Sequence, residues 1–162
     1  QLKRPLPEEI RYGVMLEVPS LAEQLDLIAP KISFLSVGTN DLTQFLFAAD
    51  RSNPKLAERY DWLSLSILRF LQRAVRAVAD HRVAVTVCGE MGGRQLEAMA
   101  LIGLGIRRLS ITPASVGPIK QMVRQLDVAA LETAMAGWLA APPPNLREAL
   151  SGWAEAQGIT LD

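Results

Sequence analysis

The sequence has few of the residues that most often mark a site by themselves: one cysteine, one histidine and 6% aromatics. The lone Cys88 has no partner for an internal disulfide, which fits a reducing compartment and leaves the thiol available for other work. The lone His81 offers neither a metal cluster nor a serine-protease type of triad, and its place at the end of a predicted helix fits an interaction with the helix dipole. The three tryptophans are too scattered to stack nucleic-acid bases and read as packing residues. Charge of either sign is not in excess, with 17 Lys+Arg against 17 Asp+Glu, so no net field favours nucleic acid or an anionic membrane. No apolar run approaches the roughly 18 residues of a spanning helix. A soluble, cytoplasmic protein is expected. An initiator Met and a charged-then-apolar leader are also lacking, and 162 residues fall short of the roughly 250 of a closed eight-fold β/α barrel. The chain therefore reads as a piece of a longer protein.

What is present is an alternation of strand-length apolar runs with longer segments of helical period, the pattern of a parallel sheet built from β/α units. Four units are expected. Strands are predicted near Val14 to Val18, Phe34 to Val37, Ala84 to Val87 and Arg108 to Ile111. Helices are predicted from Ser20, with Glu23 completing a capping box, to before Pro30. Others are predicted from Asp41 to Phe47, Leu63 to Asp80, Arg94 to Ile102 and Ser115 to Gln125, with a polar loop from Ala49 to Asp61. Gly103 and Gly105 read as a helix terminator, because Gly103-Leu104-Gly105 lacks the third glycine of a dinucleotide fingerprint. Beyond Asp127 the rhythm gives way to two helical segments, Val128 to Ala140 and Leu146 to Gln157, separated by Pro142-Pro143-Pro144. Composition does not decide between an open doubly wound sheet and half of a barrel.

In either architecture functional groups collect at the carboxyl ends of parallel strands. Three such ends carry a reactive or metal-binding side chain beside a turn: Glu17-Val18-Pro19-Ser20, Gly38-Thr39-Asn40-Asp41 and Cys88-Gly89-Glu90-Met91. Glu17 interrupts an apolar strand in which a lone carboxylate is costly to bury, unless it simply faces water at the strand end. Asp41 taken alone is a helix N-cap. Together, Glu17 and Asp41 offer two hard oxygen ligands from adjacent strand ends, the sparse set that suits Mg2+ holding waters and a substrate phosphate. Cys88 is either a small buried hydrophobe or a ligand-facing thiol, given the glycine-rich turn and helix start that follow it. Arg51 is either a solvated charge or a bidentate clamp for phosphate or carboxylate.

The strings Gly13-Val14-Met15-Leu16-Glu17-Val18-Pro19-Ser20, Phe34-Leu35-Ser36-Val37-Gly38-Thr39-Asn40-Asp41-Leu42-Thr43-Gln44, Ala49-Asp50-Arg51 and Cys88-Gly89-Glu90-Met91 are more specific in combination. In this order and spacing the chain resembles the phosphoenolpyruvate-binding domain of enzyme I of the phosphotransferase system, most of all its nitrogen-related form. The likeness runs from about Tyr12 to Leu126. Pyruvate phosphate dikinase and phosphoenolpyruvate synthase share related motifs, but Ala49-Asp50-Arg51 and Cys88-Gly89-Glu90-Met91 favour the phosphotransferase. The resemblance implies an α/β fold: the C-terminal half, four β/α units, of a phosphoenolpyruvate-binding (β/α)8 TIM barrel over residues 1–127, followed by a helical hairpin over residues 128–162. It implies Mg2+ on Glu17 and Asp41, phosphate contacts from Asn40 and Arg51, and Cys88 as proton donor to the enolpyruvate carbon. It further implies phosphoryl transfer to a histidine of a separate N-terminal domain and then to an HPr-type carrier. One departure is visible: the family's Tyr-Asp-x-Leu-His-Pro is Tyr60-Asp61-Trp62-Leu63-Ser64-Leu65 here, which alters the start of the long helix. The competing expectation is a module that senses phosphoenolpyruvate or serves as a dimerisation platform without turnover. A half-barrel leaves two sheet edges and four apolar inner strand faces uncovered, so a homodimer is expected.

Overall fold

The predicted strand runs become four short parallel strands in the computed structural model, which describes residues 7–57 and 61–161. They are β1 (Gly13–Leu16), β2 (Phe34–Gly38), β3 (Ala84–Cys88) and β4 (Arg108–Ser110). The sheet order is β1-β2-β3-β4, with Leu16 opposite Val37, Val37 opposite Val87 and Val87 opposite Leu109. Each strand pairs with the next in the chain without a reversal of order, as in a barrel segment and unlike a doubly wound sheet with its switch point.

Between the strands the described α-helices are α1 (Pro19–Ala22), α2 (Leu25–Ile28), α3 (Thr39–Phe47), α4 (Pro54–Ala57), α5 (Leu65–Ala79) and α6 (Gln95–Gly103), and α7 (Pro113–Val123) follows β4. The capping box expected at Ser20 and Glu23 is not formed. Pro19 is pre-organised for the first helical position, so Val18 becomes the cap and Ser20 lies inside the helix. The expected single helix is broken into α1, α2 and a 3-10 turn, Ala29–Lys31, that contains Pro30. Asp41 is likewise not a cap: Gly38 takes that place, and Asp41 sits in the first turn of α3, where its charge complements the helix dipole. The expected loop from Ala49 to Asp61 contains α4, and Tyr60 lies outside the described residues. Ser64 is the N-cap of α5, yet its hydroxyl makes no capping bond. The Asp61 carboxylate instead accepts the Leu63 amide at 2.9 Å. His81 follows the Asp80 cap of α5 and is exposed.

Period-two alternation divides the sheet into two faces. Leu16, Leu35, Val37 and Val87 are buried in the core. The alternate residues form an open face. It was expected to be apolar, and Met15 and Phe34 are 49% and 42% exposed. The structure corrects the remainder: Ser36, Thr86, Cys88, Arg108 and Ser110 stand on this face, because the strands carry polar residues at every second position toward their carboxyl ends.

The tail helices α8 (Val128–Ala140) and α9 (Leu146–Ala156) are capped by Asp127 and Asn145, which accept the Ala130 and Glu148 amides at 3.0 and 3.2 Å. Leu131, Met135, Leu150 and Ala154 join the same core as α6. Gly103, read from sequence as part of a terminator, lies within α6 against α8, where a Cβ would sit 2.4 Å from Met135 Cγ. Gly105, at φ 91°, is the residue that turns the chain out of the helix. Arg69 of α5 donates to the Leu139 carbonyl through Nε at 3.0 Å, anchoring the end of α8. Trp62, Trp138 and Trp153 pack partly buried against the core, as read from their scatter. Among the described residues no helix is long and apolar enough to cross a membrane.

Candidate functional site

Paired residues of a parallel sheet share a face, so the register sets Gly38 beside Cys88 and Cys88 beside Ser110 at the carboxyl end of the open face. Glu17, the residue after β1, continues this row. A Cβ at Gly38 would lie 2.8 Å from Glu17 Cγ and 2.9 Å from its Oε1, so the half-buried carboxylate lies across a strand end that only glycine leaves open.

Cys88 is half-buried and is not among the residues of the buried apolar core. Its thiol donates to the Val37 carbonyl at 3.4 Å and lies 3.5 Å from the Ser36 hydroxyl. Ser36 was missed in the sequence, although its position two residues before Gly38 puts it on the same face. After Cys88 the chain turns at Gly89, with φ 109°. A Cβ there would meet Thr39 Oγ1 at 2.6 Å and Asn40 Oδ1 at 3.0 Å. This close approach lets Asn40 Oδ1 accept the Glu90 amide at 3.1 Å, while Thr39 donates to the Cys88 carbonyl at 3.1 Å. The turn after β3 is thus hydrogen-bonded to the first turn of α3, which fixes Cys88 relative to Asn40.

Asp41 faces Arg51, whose Nε lies 3.7 Å from Asp41 Oδ1. The Arg51 amide donates to Gln44 Oε1 at 3.1 Å, folding the loop back on α3. Next to it the Ser52 hydroxyl and amide donate to Asp50 and hold that carboxyl below its ordinary range. Asp50 therefore shapes the turn that presents Arg51. Among the described residues no group of three or more His, Cys, Asp or Glu converges on a metal position. Glu17 and Asp41 remain a two-carboxylate set at neighbouring strand ends.

A cleft of about 280 Å3 opens beside this row, lined by Asn40, Gln44, Arg51, Trp62, Arg94 and Arg147 among others. It takes in Asn40 and Arg51 but not Glu17, Asp41 or Cys88. The five residues singled out from sequence are therefore not gathered in one concavity. Glu17 and Cys88 belong to the row on the open face, and Asn40 and Arg51 line the cleft. The Arg94 guanidinium lies 4.7 Å from the Trp62 ring centroid, a cation–π contact. Arg147 reaches in from α9, donating from Nη2 to Asp61 Oδ1 at 2.6 Å and to Glu97 Oε1 at 2.7 Å. Hydrogen bonding to Asp61 raises the Arg147 pKa further above its already high ordinary value. Nothing local in the sequence points to this contact, since its partners are 50 and 86 residues from Arg147.

A family profile described as "PEP-utilising enzyme, PEP-binding domain" matches residues 2–128. The chain is 43% identical over 122 residues to a protein of Escherichia coli named phosphoenolpyruvate-dependent phosphotransferase system, covering 75% of this chain and 16% of that protein. It is 38% identical over 128 residues to the phosphoenolpyruvate-protein phosphotransferase of Borreliella burgdorferi, covering 79% and 22%. With a multiphosphoryl transfer protein of Xanthomonas campestris it shares 40% over 124 residues, covering 76% and 15%. The chain spans at most 22% of the length of these three relatives. With four sequential parallel strands and a profile match over residues 2–128, the chain belongs to the phosphoenolpyruvate-utilising enzymes, within their phosphoenolpyruvate-binding domain.

Proposed function

We propose that this chain is the C-terminal half of the phosphoenolpyruvate-binding barrel of an enzyme I-type phosphotransferase of the nitrogen-related branch, residues 1–127, with residues 128–162 as a helical extension. In the longer polypeptide the missing barrel units cover the open face, a histidine of a separate domain accepts the phosphoryl group, and an HPr-type carrier receives it next. Two copies form a homodimer. The observation that supports this reading is the row Glu17, Gly38, Cys88 at the strand ends, with Asn40 and Asp41 in the turn beside it.

The roles follow from the chemistry of each group. Glu17 and Asp41 supply hard oxygen donors of the kind that hold a hydrated Mg2+, the glycine at position 38 leaving room over Glu17. Bound there, the ion supplies neutralisation of phosphate and enolate oxygens. Arg51 lies beside Asp41 and has a guanidinium suited to bidentate contact with a phosphate. Asn40, its carbonyl oxygen engaged by the Glu90 amide, turns its amide nitrogen toward Glu90 and the cleft. As the P–O bond to the enolate oxygen breaks, the Cys88 thiol gives its proton to the methylene carbon, and pyruvate leaves.

The test is Asp41→Ala in the full-length polypeptide. Phosphoenolpyruvate turnover should fall at least about 10²-fold while the thermal midpoint stays near that of the parent, because the group acts on the ligand and not in the core. Unchanged turnover at saturating Mg2+ would remove Asp41 from the metal site.

A further inference from the structure

We propose that Arg147 is a positioning residue for the phosphoenolpyruvate site: from the tail, it ties the downstream end of the Arg51 loop to the helix that follows Cys88. The inference rests on the function proposed above and names a determinant of it that lies outside the matched family segment, which ends at residue 128.

Glu97 is the starting point. It stands in the first turn of α6 at 2% exposure, in a helix buried from there to Gly103, and its carboxylate meets Arg147 Nη2 at 2.7 Å. A carboxylate so buried requires a cation, and removing the cation leaves an uncompensated charge. The same Nη2 holds Asp61 Oδ1 at 2.6 Å, and Arg147 Nε approaches Asp61 Oδ2 at 3.3 Å, so the guanidinium fork engages Asp61 with both arms. Asp61 in turn accepts the Leu63 amide at the entry to α5. One guanidinium therefore joins the exit of the loop that carries Arg51 to the start of α6, and α6 follows the Cys88 turn directly.

A second contact runs in parallel. Trp62, next to Asp61, lies under Arg94, next to the first residue of α6. Arg147 also lines the cleft shared with Asn40 and Arg51, so its loss would be felt where the phosphate is expected. On the α8 side of the same interhelical turn, Arg69 donates to the Leu139 carbonyl. The turn between α8 and α9 is thereby fixed from both sides to the first part of α5 and the residues just before it, and the Arg147 contact borders the cleft.

A structural ion pair alone would make Arg147 a matter of stability, so the test separates stability from ligand use. In the full-length polypeptide, Arg147→Met should raise the KM for phosphoenolpyruvate about tenfold with kcat changed less than about threefold, because the loop is mispositioned and the reacting groups are intact. Backbone amides of residues 49–57 and 61–64 should exchange faster in that variant, while those of β2 and β3 keep their protection. Arg147→Lys should restore part of the KM, since an ammonium bridges the two carboxylates without the bidentate fork. Should Arg147→Met not fold, Asp61→Asn keeps Glu97 paired and releases only the loop, and it should still raise KM. An unchanged KM with unchanged loop exchange in the folded variants overturns the proposal. A polypeptide that uses no phosphoenolpyruvate overturns the proposed function instead, and the exchange of residues 49–57 and 61–64 still decides whether Arg147 orders the loop.

Discussion

The two faces of the four-stranded sheet are made from alternate residues of the same short strands, and they do different work. On the covered face Leu35 and Val87 are 0% exposed and Val37 is 1% exposed, so these residues hold the helices to the sheet. On the open face the neighbours of those residues are Ser36 and Cys88, which lie in hydrogen-bonding contact, and Gly38, which leaves room. Stability and chemistry are thus separated by one residue along the strand. Substitutions one position apart should report through different measurements.

The largest expected effect concerns the open face as a whole. Met15 and Phe34 are exposed on it, and both β1 and β4 end the sheet with an unpaired edge. Two copies of the isolated chain should associate at micromolar concentration, an affinity of about 8 kcal/mol. Sedimentation equilibrium should give about twice the 17.7 kDa chain mass, and Phe34→Ser should shift the mass toward the monomer. A single 17.7 kDa species for the unsubstituted chain would mean that this face is content in water, and the contrast between the faces would not extend to association.

The next effects set the faces against each other directly. Leu35→Ala empties a fully buried position and should cost about 2–5 kcal/mol in denaturant unfolding. Ser36→Ala, its neighbour on the other face, removes one long contact to the Cys88 sulfur and should cost less than about 1 kcal/mol. Equal costs would break the comparison. Cys88→Ala should leave stability and phosphoenolpyruvate binding near those of the parent polypeptide while slowing pyruvate release about 10²-fold, which is about 2.7 kcal/mol of barrier. Normal pyruvate release from a destabilised variant would return Cys88 to the core.

This division explains what was legible in the sequence. The four β/α units could be read because period-two and period-3.6 patterns are local, and α8 starts and ends where its pattern does. The strand-end residues could be singled out because Glu17 and Cys88 are exceptions within apolar runs. Caps were less legible: with Pro19 at the first helical position the cap is Val18, two residues before Ser20, and Gly38 is the cap three residues before Asp41, because backbone conformation at the preceding residue decides where a helix starts. The polarity of the open face is encoded residue by residue at every second strand position, where the strands' average hydrophobicity hides it. The Arg147 contacts and the Arg94–Trp62 stack were not readable at all. They depend on how α9 and α6 come to rest against the start of α5, and no periodicity encodes a pairing across 86 residues.

The smallest expected effect belongs to the contact between Asp61 and Arg147 at the entry to α5. Burial alone would raise the Asp61 carboxyl, yet hydrogen bonds from Arg147 and the Leu63 amide outweigh it and hold the group below its ordinary value of 3.8. A depressed carboxylate contributes stability that is complete above the unfolded-state value and is lost as pH falls through the folded-state value. The window for Asp61 therefore lies below about pH 3.8, and its partner stays charged throughout because the Arg147 pKa is raised. Asp61 is 46% exposed, so solvent screening limits the charge contribution to about 1 kcal/mol. Asp61→Asn should thus lower the urea midpoint at about pH 6, and the difference from the unsubstituted chain should shrink as pH falls below about 3.8 and through the lowered folded-state value. A difference that persists undiminished in acid would show that Asp61 holds the start of α5 by shape and hydrogen bonding to Leu63, with its charge on Arg147 contributing nothing measurable.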